Sequence, residues 1–167
     1  MTFATPSEPN GFSLAELLVG ISIVGLLAAL GWSAGSETLA RHRLEAATHL
    51  LDQGIHRGRA EAQKLGRPCG LSLQPEGWSS PSASSLPPCL QTLQSLKEPI
   101  APGEVQLVHN FPDVLRFTRN GLVLDGGTAV LSASGTTLQR CLVMALPLGV
   151  TRLGRYRSGV CEPDPSL

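Results

Sequence analysis

From Leu17 to Ser36 the chain runs for twenty residues without a charge. Leu, Ile, Val and Ala dominate this run. Coiled as a helix it reaches about 30 Å, the thickness of one hydrocarbon core. The chain is therefore expected to begin with a membrane-spanning helix. Glu16 lies just inside the start of that helix. A carboxylate costs about 2.5–3.5 kcal/mol near the bilayer centre, less toward an interface, and calls for a partner.

The residues around this acid read Gly11-Phe12-Ser13-Leu14-Ala15-Glu16, then Leu17-Leu18-Val19 with Ile21, Ile23 and Leu26. The pattern resembles the N-terminus of type IV pilins and pseudopilins with its prepilin-peptidase leader. The resemblance implies a leader over residues 1–11, cut after Gly11 by prepilin peptidase, and a new N-methylated first residue at Phe12. It implies that Glu16 pairs with the Phe12 amine of a neighbouring pilin subunit during filament assembly. Residues 12–36 would form the transmembrane and filament-core helix, and residues 37–167 a head outside the cytoplasm. The protein would sit in a bacterial inner membrane as a single-pass subunit with a periplasmic head, then enter a cell-surface pilus or periplasmic pseudopilus. Arg41 and Arg43, with no Lys or Arg before the run, would by the positive-inside bias alone place the head in the cytoplasm. The cleavage motif and the cysteines agree on the opposite side.

Those cysteines are Cys69, Cys89, Cys141 and Cys161. They form no Cys-x-x-Cys and no Cys/His pair with zinc spacing. An even number in a small domain outside the cytoplasm points to disulfides. Three pairings are open; Cys69–Cys89 with Cys141–Cys161 closes local loops at least entropic cost. Formal net charge is zero, so the placement of charge must carry any argument about partners.

After Ser36 the helical pattern continues. Leu44, Ala47, Leu51, Ile55, Gly58, Ala62 and Leu65 recur three or four apart, one stripe on a helix. The stripe is rich in Ala and Gly, so whatever covers it packs close, and Gly66 and Pro68 end it. Within the apolar run, Gly25/Ala29 and Gly31/Gly35 are small pairs four apart that let helices approach in lipid. His42, His49 and His56 recur every seven residues and are expected on the solvated face. Their rise of about 10.5 Å per interval is too large for one metal ion.

Residues 70–74 alternate as a strand. Residues 75–88, rich in Ser and Pro, are expected to be a loop pinned by Trp78, and 89–97 a short helix. From Glu104 the texture is β: 105–109, 114–118, 122–124, 128–133, 139–146 and 150–157, separated by Asn-Gly, Asp-Gly-Gly, Ser-Gly and Pro-Leu-Gly. Residues 162–167, with two prolines, are expected to be a loose tail. The fold class is α+β, a pilin-like fold: a long N-terminal helix, its first half transmembrane, packed on an antiparallel β-sheet head.

No phosphate loop, His-Glu-x-x-His or closely spaced apolar acid pair is present, so no enzyme, metal or cofactor is expected. A basic strip says more. Arg140, Arg152, Arg155 and Arg157 fall between residues 140 and 161 with no acid among them. Arg155 and Arg157 would share a strand face, and two guanidinium forks suit successive phosphates. Arg57, Arg59, Lys64 and Arg67 are accounted for by the dipole at the helix end.

Ala60-Glu61-Ala62, Phe117 with Gly121, and Gly154-Arg155-Tyr156-Arg157 resemble the GspH/FimT branch of minor pilins and pseudopilins. In FimT-like minor pilins a Gly-Arg-x-Arg motif is implicated in DNA binding, and Gly154, Arg155 and Arg157 match it. Arg152 and Arg140 join by charge and proximity. The resemblance implies a minor pilin that binds extracellular DNA without sequence preference for uptake in natural transformation. The alternative is a minor pseudopilin of type II secretion with a purely structural role, its arginines solvated or guarding an edge strand.

Overall fold

The computed structural model describes residues 12–81, 86–89 and 104–164, with the side chains of 30–34 outside that set. The leader with Gly11, and the helix expected over 90–97, lie outside the described residues. One helix, α1 (Leu14–Leu65), is followed by eight strands. These are β1 (Cys69–Gln74), β2 (Gly77–Ser79), β3 (Val105–His109), β4 (Leu115–Phe117), β5 (Gly127–Ala133), β6 (Gln139–Ala145), β7 (Val150–Arg157) and β8 (Val160–Pro163). The chain divides into two compact units, Met1–Ser36 and Glu37–Leu167.

In the first unit the helix is started by its own side chain: the Ser13 hydroxyl accepts the Glu16 amide at 3.2 Å. Ser13 is thus the N-cap and Glu16 the third helical residue, the spacing of a capping box, and an acid there also favours the helix N-terminus. Every large apolar side chain from Leu14 to Leu27 is exposed, as is Phe12. Among the described residues no helix is long and apolar enough to cross a membrane; the uncharged run includes positions 30–34, so spanning rests on the sequence.

The second unit is built on the amphipathic half of α1. Leu44, Ala47, Leu51, Ile55 and Ala62 are buried, while Leu65 at the end of the stripe is exposed. They share one core with Leu71, Leu73 and Trp78 of β1 and β2, Leu115 and Phe117 of β4, and Ala129, Leu131, Leu142 and Met144 of β5 and β6. His42, His49 and His56 are on the exposed face. The helix ends as its sequence requires, with Gly66 at φ 61°. The strands form two antiparallel sheets, ordered β2-β1-β4 and β3-β5-β6-β7-β8.

Close packing is concentrated at two glycines of α1. A Cβ at Gly54 would lie 2.0 Å from Trp78 Nε1, and one at Gly58 would lie 2.8 Å from Leu71 Cδ1. The indole is held there because Nε1 donates to the Leu51 carbonyl at 3.1 Å. A buried indole needs such an acceptor. Trp78 therefore does not pin a loop: it stands in β2, paired with Leu73 of β1. The structureless stretch expected from 75 contains a strand, because a two-residue turn brings Gly77 back against Gln74.

Three further expectations are corrected. Residues 122–124 form no strand, only a bridge between Phe117 and Val123. Arg59 is not merely a cation at a helix end: its guanidinium donates to the Leu148 and Gly149 carbonyls, tying α1 to the β6–β7 turn. The terminal segment is not loose through Asp164, since β8 pairs with β7 from Arg157↔Val160 to Gly154↔Pro163. Its turn is Ser158-Gly159, both at positive φ, the two-residue hairpin geometry. Pro163 is tolerated because β8 is an edge strand. Both disulfides are present, Cys69–Cys89 and Cys141–Cys161.

Outside the core, Arg116 of β4 holds Asp125 through two hydrogen bonds, Nε to Oδ2 at 2.9 Å and Nη2 to Oδ1 at 2.8 Å. These bonds, helped by the arginine's charge and opposed by partial burial, hold the Asp125 carboxyl below its ordinary value.

Replacing Gly54 by Ala should lower the free energy of unfolding by about 1–3 kcal/mol, because the indole cannot leave its acceptor without cost. It should do so despite the roughly 1 kcal/mol that alanine gains in helix propensity. Urea unfolding of both proteins checks this, and an equally stable variant would contradict it. A carboxyl with a depressed value adds stability that is present above about pH 3.9 and is lost as pH falls through the lowered value. Parent and Asp125→Asn should therefore differ in melting temperature at pH 7 and converge on acidification.

Candidate functional site

The arginines of the basic strip are distributed by the pleat of the second sheet. Directly opposed residues share a face, so Arg140 of β6 stands beside Arg155 of β7 and Leu142 beside Leu153. Leu131 and Leu142 are core residues, which places Arg140, Arg155 and Arg157 on the face turned to α1. Arg152, opposite Val143, is on the other face with Gly154 and Tyr156. Arg152 is thus separated from the Arg155/Arg157 pair by the sheet itself.

Arg140 is a second departure from expectation. Its side chain is only 4% exposed and donates to Asp164 Oδ2 at 2.8 Å and Glu45 Oε1 at 2.7 Å. A buried guanidinium without acids would carry a large desolvation cost, so these carboxylates are a requirement of the fold. Arg140 is unable to reach a phosphate at the surface. Arg155 shares the same acid, its Nε donating to Asp164 Oδ2 at 2.7 Å, yet its side chain is 44% exposed. Arg157 is exposed.

A groove of about 430 Å³ opens beside this network, lined among others by Arg41, Glu45, Gln139, Arg140, Arg155 and Arg157. Arg41, one turn from Glu45 on α1, also pairs with Glu37 at 2.6 Å. It was not legible as part of a site, because more than a hundred residues separate it from Arg155 and only the packing of α1 on the sheet unites them. Chemically the groove offers guanidinium donors to an extended anion. His56 meets both Asp52 Oδ1 at 3.5 Å and Thr151 Oγ1 at 3.3 Å through the same ring nitrogen, Nε2. With one nitrogen shared, His56 cannot take a proton from the threonine while the aspartate orients its other side.

Gly154 has a structural reason to be glycine. A Cβ there would lie 2.0 Å from the Glu162 carbonyl oxygen. The backbone that needs this close approach is the chain's own β8. Cys141 of β6 lies opposite Gly154 and Cys161 of β8 opposite Tyr156, and the disulfide joins the two across β7. The crossing delivers Asp164, whose amide donates to the Leu153 carbonyl at 3.2 Å, to the two arginines.

At the other end of the chain, Phe12 is exposed, and among the described residues no side-chain partner meets the Glu16 carboxylate. The model for the prokaryotic N-terminal methylation motif matches residues 9–32. This is the motif of the type IV pilin and pseudopilin leader; it supports a pilin-like protein and implies processing by prepilin peptidase, membrane anchoring and assembly with other pilins. No curated protein and no solved structure matches the chain at a significant level.

Substituting Gly154 by Ala should displace β8, since the obstacle is backbone and not a flexible side-chain end. Hydrogen exchange at residues 160–164 should quicken while the β5 and β6 amides stay protected. Unchanged exchange in that segment would show that β8 does not depend on the glycine.

Proposed function

We propose that this chain is a minor type IV pilin of the GspH/FimT kind whose arginine groove holds the phosphate backbone of extracellular DNA during uptake. In this reading residues 1–11 are removed after Gly11, residues 12–36 anchor the subunit in the inner membrane, and Glu16 admits it to a filament by meeting the Phe12 amine of a neighbour. The exposed large apolar side chains from Leu14 to Leu27 support this, because such a surface needs lipid or other helices around it. The observation that carries the DNA assignment is the pairing of Arg155 and Arg157 on one strand face beside Arg41, along an open groove. Guanidinium forks so placed contact phosphates and read no base edges, so binding is indifferent to sequence.

One observation favours the purely structural pseudopilin instead: Arg155 is already engaged by Asp164. The two readings part on a single measurement. The full chain in non-ionic detergent should retard a mixed-sequence DNA duplex in a mobility shift. Arg155→Ala/Arg157→Ala should weaken binding uniformly across sequences and lower the slope of log affinity against log salt by about two. A double variant that binds as well as the parent overturns the DNA reading.

A further inference from the structure

We propose that Asp164 is a built-in competitor: its carboxylate fills, in the free protein, the anion seat at Arg155 that a DNA phosphate takes over on binding. The proposal rests on the DNA reading above and adds to it how the site is kept closed. Three features of the geometry point to it. Asp164 Oδ2 accepts from both Arg140 Nη1 at 2.8 Å and Arg155 Nε at 2.7 Å, so it occupies the Arg155 donor that a phosphate oxygen would need. The two arginines differ in burial. Arg140 keeps Glu45 at 2.7 Å when Asp164 leaves, whereas Arg155, almost half exposed, is left with an unspent guanidinium facing solvent. Among the described residues the buried Arg140 Nε has no hydrogen-bond partner, so this network is short of acceptors even in the closed state.

The carrier of the acid is suited to moving. β8 is an edge strand of four residues, Val160–Pro163, paired only with β7. It is tethered at Cys161 by the disulfide, three residues before Asp164. The residue that must shift is therefore three positions past that tether, its amide donating to the Leu153 carbonyl and its carboxylate accepting from the two arginines. Displacement exchanges one carboxylate for one phosphate at the same guanidinium, so the closed state lowers affinity without abolishing it. It also rejects isolated weak anions, because a single small anion gains nothing over an acid already in place. A polyanion prevails by engaging Arg157 and Arg41 at the same time.

The test uses the full chain in detergent with the mixed-sequence duplex as probe. Asp164→Asn should bind roughly fivefold tighter at about 0.15 M salt and steepen the salt slope by about one, the effect of one more phosphate neutralised. Glu76→Gln, the same charge change on the β1–β2 turn in the other sheet, should leave both values at the parent's. The gain should vanish when Asp164→Asn is combined with Arg155→Ala. Should Asp164→Asn lose its fold, hydrogen exchange on the unmodified chain serves equally: adding duplex should speed exchange at the Asp164 amide. Asp164→Asn binding no tighter than parent while Arg155→Ala/Arg157→Ala still weakens binding overturns the competitor and leaves the DNA reading standing. A gain that survives in the Arg155→Ala background overturns it as well. No binding by parent or Asp164→Asn overturns both.

Discussion

The Trp78 indole occupies the space that a side chain at position 54 would need, and its N–H is satisfied by a carbonyl of the same helix, Leu51. This arrangement fixes the distance between α1 and the first sheet, and the rest of the second unit is built to that distance. Phe117 and Leu71 can reach Gly58 only because the helix is already close. The small residues of the stripe thus act by what they omit: each absent methylene lets the indole and phenyl rings bury more surface against helix backbone. Arg59 then uses the last turns of the same helix to hold the β6–β7 turn through two carbonyls. One helix therefore governs both sheets, the first by apolar contact and the second partly by hydrogen bonds.

The second sheet carries a different kind of constraint. The guanidinium at position 140 is buried, so acids had to be brought to it from elsewhere. Glu45 comes from α1 and Asp164 from beyond β8. The terminal segment owes its order to this demand as much as to strand pairing, and the Gly154 gap with the Cys141–Cys161 bond permits the crossing that satisfies it. Arg155 stands where this network meets solvent: it helps neutralise a buried acid while its own side chain stays 44% exposed.

Reading the residues in order recovered much of this. The stripe from Leu44 to Ala62, the stop at Gly66, and five of the strands from 105 onward follow from periodicity and turn chemistry, and the structure has them. The failures share a cause. The Ser and Pro around Trp78 suggest a loop, yet an indole donor and a glycine on the helix decide otherwise. The two prolines of residues 162–167 suggest a tail, although Ser158-Gly159 is itself a two-residue turn and Cys161 a tether. Arg140 was grouped with the surface arginines because charge alone does not reveal which face of a strand is covered.

What the sequence determined by itself is local or nearly so: an uncharged run long enough for a membrane, an acid at the start of a helix, the leader motif over residues 9–32, and an even set of four cysteines. Such features depend on spacing along one segment, where the helical and pleated periods act directly. The tertiary structure alone decided that Arg152 faces away from Arg155, that Arg41 lies beside them, and that Asp164 binds two arginines at once. These are matters of register and of which distant group answers a buried charge. Both are settled by burial and desolvation summed over the whole unit, and no stretch of neighbouring residues contains that sum.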